Sequence, residues 1–395
     1  MRSRTQQPGR LTAAFIGWRA RRVPDPVARL RLLRQSLEAE EALGRGQGAA
    51  RLVRFVLSTA ALLMLLAPLG AVRDKAAERT SFPSPDLGRK NAPGPGLAEV
   101  WMVEQQPGHE LYSNGLRIER EFETANEPRL FEVYARGREE QGPVAEHSVP
   151  AGIVFHSTES ATAEFRADQT TRLRLLGKYL LHYVRNERAY HYVIDRFGRV
   201  WRIVRESDGA NHAGHSVWAD DHWTYINLNH SFLGVSLEGQ SAGPSGGEER
   251  LTRGQSHALR LLVEMLRSRY SIPAENCVTH AQVSVNPSNG EASYHYDWAT
   301  GFPFAELGLP DNYQAPLPSL WLFGFTWDPS LVNQTGEVFW KGLLLGQDRL
   351  RQSAAARGMT VEQYRLARGR VYRQILASSK AKAEARQALS AGRSQ

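Results

Sequence analysis

The chain reads as an α/β protein: a central mixed β-sheet flanked by helices, with an N-terminal transmembrane helix and a C-terminal helical hairpin. Three observations predict this. Short apolar runs such as Ile153-Val154-Phe155 and Phe232 to Glu238 (FLGVSLE) alternate with stretches of helical period, the pattern of strands with helices packed on them. Phe55 to Val72 is an uncharged run of 18 residues, close to the minimum for a membrane-spanning helix. Thr360 with Gln363 forms a capping-box pattern at the head of a late helix, and a further helix is expected around 340–356.

In chain order, residues 1–54 carry 12 Arg against 4 acids and read as a basic cytoplasmic tail. The anchor follows at 55–72. Because the arginine excess lies before it, the positive-inside rule puts the N-terminus in the cytoplasm and the rest of the chain outside. Secretion after cleavage near Leu69-Gly70-Ala71 is the alternative. Residues 73–97 form a linker, in which SFPSPDLGRKNAPGPG holds four prolines and three glycines and reads as stiff and extended. Residues 98–149 break into short apolar runs around Asn114-Gly115 and Pro143, a small β extension that stands alone or joins the main sheet.

The main domain spans 150–310. Its first strand ends at His156. Leu173, Leu176, Leu180 and Tyr183 recur at helical spacing and predict a helix over about 169–185. Tyr190 to Val204 reads as two strands around a turn at Arg196-Phe197-Gly198. Thr252 with Gln255 caps the next helix, whose apolar face is Leu259, Leu262, Val263 and Leu266. Residues 311–395 hold an aromatic segment, in which Trp321, Phe323, Phe325 and Trp327 alternate as in a strand or extended stretch, and then the basic helical hairpin, read as a solvated face.

Charge placement excludes one function class. The net +8 hides two basic ends around a middle of 25 basic and 34 acidic residues, whereas nucleic-acid binding requires the basic surface on the folded domain. A single Cys277 rules out an intramolecular disulfide framework. No protein partner can be inferred.

The chemistry concentrates in THAQVSVNPSNGEASYHYDW, residues 279–298, where His280, His295 and Asp297 sit in an irregular loop. Such a loop cannot bury a core. A Zn²⁺ ion accounts for the imidazoles, since catalytic zinc takes three His/Asp/Glu/Cys ligands and keeps a fourth position for water. The upstream candidate for the set is His156.

The joint order of IVFHSTES, YHYVIDRFGRVWRIV, NHAGH, FLGVSLEG and VTHAQVS with a downstream Asp-Trp resembles the zinc-dependent N-acetylmuramoyl-L-alanine amidases, a fold shared with phage lysozyme-type amidases and peptidoglycan recognition proteins. The resemblance covers about 150 residues of the chain. It implies one Zn²⁺ and hydrolysis of the amide joining the lactyl group of N-acetylmuramic acid to L-alanine, with peptidoglycan or muropeptides as partners. It makes His156 and His280 metal ligands. Asp297 takes the third ligand position and His295 a catalytic one, though the usual Pro-Gly is missing and these two assignments can be reversed. Tyr190 matches the tyrosine placed near the zinc water, and a glutamate used by other members falls at Ser236. Glu238 lies two residues on, on the same side of the strand by alternation. His212, in the Gly-rich loop, and Trp218, as a sugar-stacking aromatic, are the expected substrate contacts alongside Glu238. A fold-sharing recognition module that binds without cutting is the alternative.

Overall fold

The computed structural model describes residues 97–241, 251–327 and 337–392. The expected basic tail, anchor and most of the linker therefore lie outside the described residues. Among the described residues no helix is long and apolar enough to cross a membrane.

The elements run as follows. β1 (Met102–Gln105), β2 (His109–Tyr112) and β3 (Arg117–Glu119) form an antiparallel meander. β4 (Phe131–Ala135) and β5 (Pro143–His147) form a hairpin. β6 (Gly152–Ser157) is followed by α1 (Thr170–Asn186), then by the antiparallel pair β7 (Tyr192–Ile194) and β8 (Val200–Arg202). A second antiparallel pair, β9 (Val217–Ala219) and β10 (Trp223–Ile226), leads through the single turn α2 (Leu228–Ser231) into β11 (Phe232–Leu237). α3 (Arg253–Tyr270) precedes β12 (Cys277–Thr279) and the one-turn helix α4 (His280–Val283). The two-residue strands β13 (Val285–Asn286) and β14 (Glu291–Ala292) pair, and α5 (Pro318–Phe323), α6 (Glu337–Ala355) and α7 (Val361–Gly392) complete the chain.

Among the described residues the main sheet has eight strands in the order β1-β2-β3-β8-β7-β11-β6-β12. β7, β11, β6 and β12 pair in parallel, and every residue of β6 and β11 is buried, which is why both read as unbroken apolar runs. One face, with Ile153 and Phe155, packs on Leu259, Leu262 and Leu266 of α3, whose expected Thr252–Gln255 capping box is present. The other face, with Val154, Phe232 and Val278, packs on Phe131, Trp218 and Tyr225 of a second sheet ordered β5-β4-β10-β9.

The stretch 98–149 is thus shared between two sheets. β1 to β3 extend the main sheet by pairing with β8, while β4 and β5 join the second. A buried ionic knot ties the extension in, with Arg202 of β8 donating to Glu110 of β2 at 2.6 and 2.8 Å.

Two expectations for the C-terminal part need correction. The aromatic segment is not extended: Pro318 to Phe323 is a helix, begun by Pro at its first turn and ended by Gly324 in the left-handed region at φ 72°. These punctuating residues outweigh the alternating aromatics. The basic hairpin is also more than a solvated face. Leu343, Leu350, Tyr364, Tyr372 and Ile375 are buried, and α7 reaches Gly392. Arg368 of α7 is buried too. It donates from Nε to Leu322 O at 2.6 Å and pairs with Glu139 and Glu140 after β4.

Glu139 is only 1% exposed, so removing its cation strands a buried carboxylate. Arg368→Ala is expected to cost about 3–5 kcal/mol. The check is a lower urea midpoint at unchanged slope, which also requires the hairpin to unfold with the domain.

Candidate metal centre

His156 stands near the C-terminal end of β6, on the face shared with Val154. His280 follows directly on β12, the parallel neighbour of β6, and opens α4. Two parallel strands ending side by side therefore deliver two imidazoles to one place. The Thr279 backbone N–H donates to Gln282 Oε1 at 2.9 Å and holds the start of that turn. Asp297 comes from the loop beyond β14. Its carbonyl accepts from Ala281 N–H at 3.2 Å, and the next carbonyl, of Trp298, accepts from Tyr313 OH at 2.5 Å.

These tethers place the Asp297 carboxylate against both imidazoles. His280 Nδ1 lies 2.9 and 3.1 Å from its two oxygens, and His156 Nδ1 lies 3.1 Å from Oδ2. All three side chains are buried. Burial alone would raise the Asp297 pKa, but attraction to His280 and hydrogen bonds from both histidines outweigh it and hold the carboxyl well below the usual carboxylate range.

One nitrogen from each histidine and one carboxylate oxygen lie within 4.8 Å of one another, and no other cluster of this kind occurs among the described residues. The donor set suits zinc. Tetrahedral bonds of about 2.0–2.2 Å separate neighbouring ligand atoms by about 3.3–3.5 Å, close to the contacts found. Ser236, in register with His156 on β11, adds a second sign: its Oγ is buried without a protein hydrogen-bond partner, the kind of group a bound water satisfies.

Residues 146–295 match the family model described as N-acetylmuramoyl-L-alanine amidase. Over this span, which is under half of the chain, the sequence is similar to that family. The matched span holds His156, Tyr190, His212, His280 and His295 and stops two residues before Asp297.

Similar solved structures include the N-acetylmuramyl-L-alanine amidase AmiD from E. coli with anhydro-N-acetylmuramic acid-L-Ala-D-gamma-Glu-L-Lys. It is 22% identical over 42% of this chain and 58% of its own, with a TM-score of 0.31. AmpDh3 from Pseudomonas aeruginosa in complex with anhydromuramic pentapeptide is 22% identical over 40% and 58%, with a TM-score of 0.28. Drosophila peptidoglycan recognition protein SD is 18% identical over 41% and 80%, with a TM-score of 0.25. The chain thus spans under two thirds of the first two structures, and at these scores the likenesses carry no functional argument. No curated protein sequence matches the chain.

Beside this group, Tyr190 is fully buried with its ring 5.1 Å from that of His156. Its φ of 62° is left-handed, a conformation a bulky residue keeps only where its surroundings over-determine it. His295 stacks on His280 with centroids 4.6 Å apart and planes at 17°, outside the three-residue ligand group. The Ser284 hydroxyl holds its backbone, accepting from His295 N–H at 3.0 Å.

The three expected substrate contacts are placed differently. His212 is buried behind His156, with its Nδ1 3.1 Å from His156 Nε2. Burial first, then the neighbouring His156, His191 and His280, pushes its pKa well below the ordinary value. Trp218 is part of the core between the two sheets and donates from Nε1 to Asn276 at 3.0 Å, so it offers no stacking face. Glu238 is buried and accepts from Arg196 N–H at 3.0 Å. In each case the surrounding elements cover a side chain that a loop or strand end alone would leave open.

Sequence reasoning missed the residues that hold the site's loops, which come from the C-terminal region. Thr326 exchanges backbone hydrogen bonds with Gly290 and Ala292 of the β13–β14 turn at 3.0 and 2.7 Å, and Tyr372 OH donates to His215 O at 2.7 Å. No local pattern marks such distant pairs.

Burial, with Asp195 adding, pushes Glu238 up to about 7 from 4.5. Between these values the folded domain keeps a proton that the unfolded chain has released, so stability falls as pH rises through the window. The loss is expected to be on the order of 3 kcal/mol. Glu238→Gln should flatten the slope, as read by urea midpoints followed across that range.

Proposed function

We propose that this amidase domain hydrolyses the amide between the lactyl group of N-acetylmuramic acid and L-alanine in peptidoglycan or its fragments, with one zinc ion held by His156, His280 and Asp297. The observation that carries the reading is the buried pair of imidazoles closed by one carboxylate, inside a span that matches the amidase family model. Zinc held there would supply a Lewis acid for the scissile carbonyl and a water of pKa near about 7. With two neutral imidazoles and one carboxylate, the ligand set leaves the ion a net positive charge.

The chain's own groups do the rest. His295, stacked on a ligand and 9% exposed, is placed to donate to the developing oxyanion or to protonate the leaving amine. Tyr190, beside His156, orients the water or donates to the same oxyanion. A binding module that does not cut has no need of a complete ligand set, and all three ligand positions here are filled.

The arginine-rich residues 1–54 and the apolar run 55–72, both outside the described residues, support a single-pass placement with the domain on the outer side of the cytoplasmic membrane. Protease access to the domain from one side of sealed vesicles checks this, and release of a shortened soluble chain would instead favour signal cleavage.

His280→Ala should abolish both zinc binding and release of L-alanine-terminated peptides from purified peptidoglycan. Asp297→Ala should also lose the metal, whereas His295→Ala should keep it and lower kcat by about 10²–10⁴-fold. A wild-type chain that binds muropeptide, carries no metal and releases nothing would be a recognition module. Metal lost in His295→Ala but kept in Asp297→Ala would reverse the two assignments.

A further inference from the structure

His212 makes a pair of contacts that fixes more than its own position. Its Nε2 lies 3.3 Å from the backbone carbonyl of Phe232, and its Nδ1 lies 3.1 Å from His156 Nε2. A carbonyl oxygen can only accept, so the proton of a neutral His212 sits on Nε2 and Nδ1 is left as an acceptor. Among the described residues the hydrogen-bond partner of that acceptor is His156 Nε2, which then carries the hydrogen. Without a metal, His156 Nδ1 hydrogen-bonds the Asp297 carboxylate at 3.1 Å; with a metal held there instead, a neutral His156 whose proton is on Nε2 would leave the Nδ1 lone pair to coordinate it. One main-chain carbonyl thus sets two tautomers in sequence.

Two further features hold His212 in that place. The backbone N–H groups of His212, Ala213 and Gly214 all donate to Asn229 Oδ1 at 2.8 Å, which hangs the loop from α2. Gly234 of β11 supplies the seat. A Cβ at position 234 would meet His212 Cγ at 2.6 Å and Nδ1 at 2.9 Å, so the imidazole lies directly on the strand backbone where no side chain is tolerated. Gly234 N–H is itself used, donating to His191 Nδ1 at 2.9 Å.

We infer that His212 is a positioning residue that locks His156 in the Nε2–H tautomer, so that Nδ1 presents its lone pair to the metal, and that residue 234 is glycine to admit it. The inference rests on the zinc reading of the site. Ligand histidines ordinarily pass their second N–H to a carbonyl, carboxylate or water, and here an imidazole held by a carbonyl takes that part. His212 acts through His156 and needs no contact with substrate.

The test measures zinc affinity by chelator competition on the full chain, alongside the melting temperature of the metal-free protein. His212→Leu is expected to bind zinc about 10–100-fold more weakly. His212→Gln, whose amide can accept from His156 and donate to Phe232 O, should recover most of that loss. Gly234→Ala should weaken zinc about as much as His212→Leu, and the double variant no further, because both act through one hydrogen bond. In parallel, ¹⁵N imidazole spectra of the zinc-loaded wild type should show His156 and His212 both protonated at Nε2, a readout that needs no variant to fold. Zinc affinity unchanged in His212→Leu, no recovery in His212→Gln at equal metal-free stability, or a His212 protonated at Nδ1 would each overturn the inference. If the wild type binds one zinc and any of these is found, only this inference fails. If the wild type binds none, the metal reading falls and takes it along.

Discussion

The contact of the Asp297 carboxylate with the Nδ1 atoms of His156 and His280 is the constraint on which the rest of the structure depends. All three groups are out of water, and an isolated buried ion costs several kcal/mol. The arrangement is tolerable because charge and hydrogen bonds close on themselves, and closing them requires three distant pieces of chain to meet within a few ångströms. Two of those pieces are adjacent parallel strands, whose register is set by burial on both faces. A strand slipped by one residue would turn His156 into the face packed on α3. The sheet is therefore the coarse positioning device, and the loops supply the rest.

Those loops are held from outside the span that matches the family. Tyr313 secures the backbone beside Asp297, Thr326 pins the β13–β14 turn, and Tyr372 of α7 secures the loop that carries His212. α7 is itself fixed by Arg368, which bonds α5 and the acidic pair after β4. The C-terminal region thus belongs physically to the same domain as the site. Its excess of basic residues made it look like a separate surface element, yet the apolar and aromatic positions between them are buried.

The third member of the site lies beyond the span that matches the family model. The matched span stops at His295, and Asp297 is reached only after a long excursion through β13 and β14. A longer path raises the entropy lost on ordering the loop. The hydrogen bonds from Ser284, Gly290, Ala292 and Thr326 offset that cost by closing the excursion in stages. Tyr190 shows the same economy elsewhere, since its left-handed backbone is sustained by complete burial beside His156.

Much of this was legible along the chain. Strand and helix periods placed β6, β7, β8, β11, α1 and α3 within a few residues, because burial of one stripe or of both faces leaves a local imprint. His156 and His280 stood out because an imidazole at a strand end or in a polar loop has no packing reason to be there. What the sequence could not decide were relations between residues far apart in the chain. The 98–149 stretch divides between two sheets, Pro318 to Phe323 is helical, and Trp218 and Glu238 are covered. The close approach of the Asp297 carboxylate to both imidazoles, and the place of His212 behind one of them, are of the same kind. Local pattern records which face of an element is buried, and only the folded chain records what it is buried against.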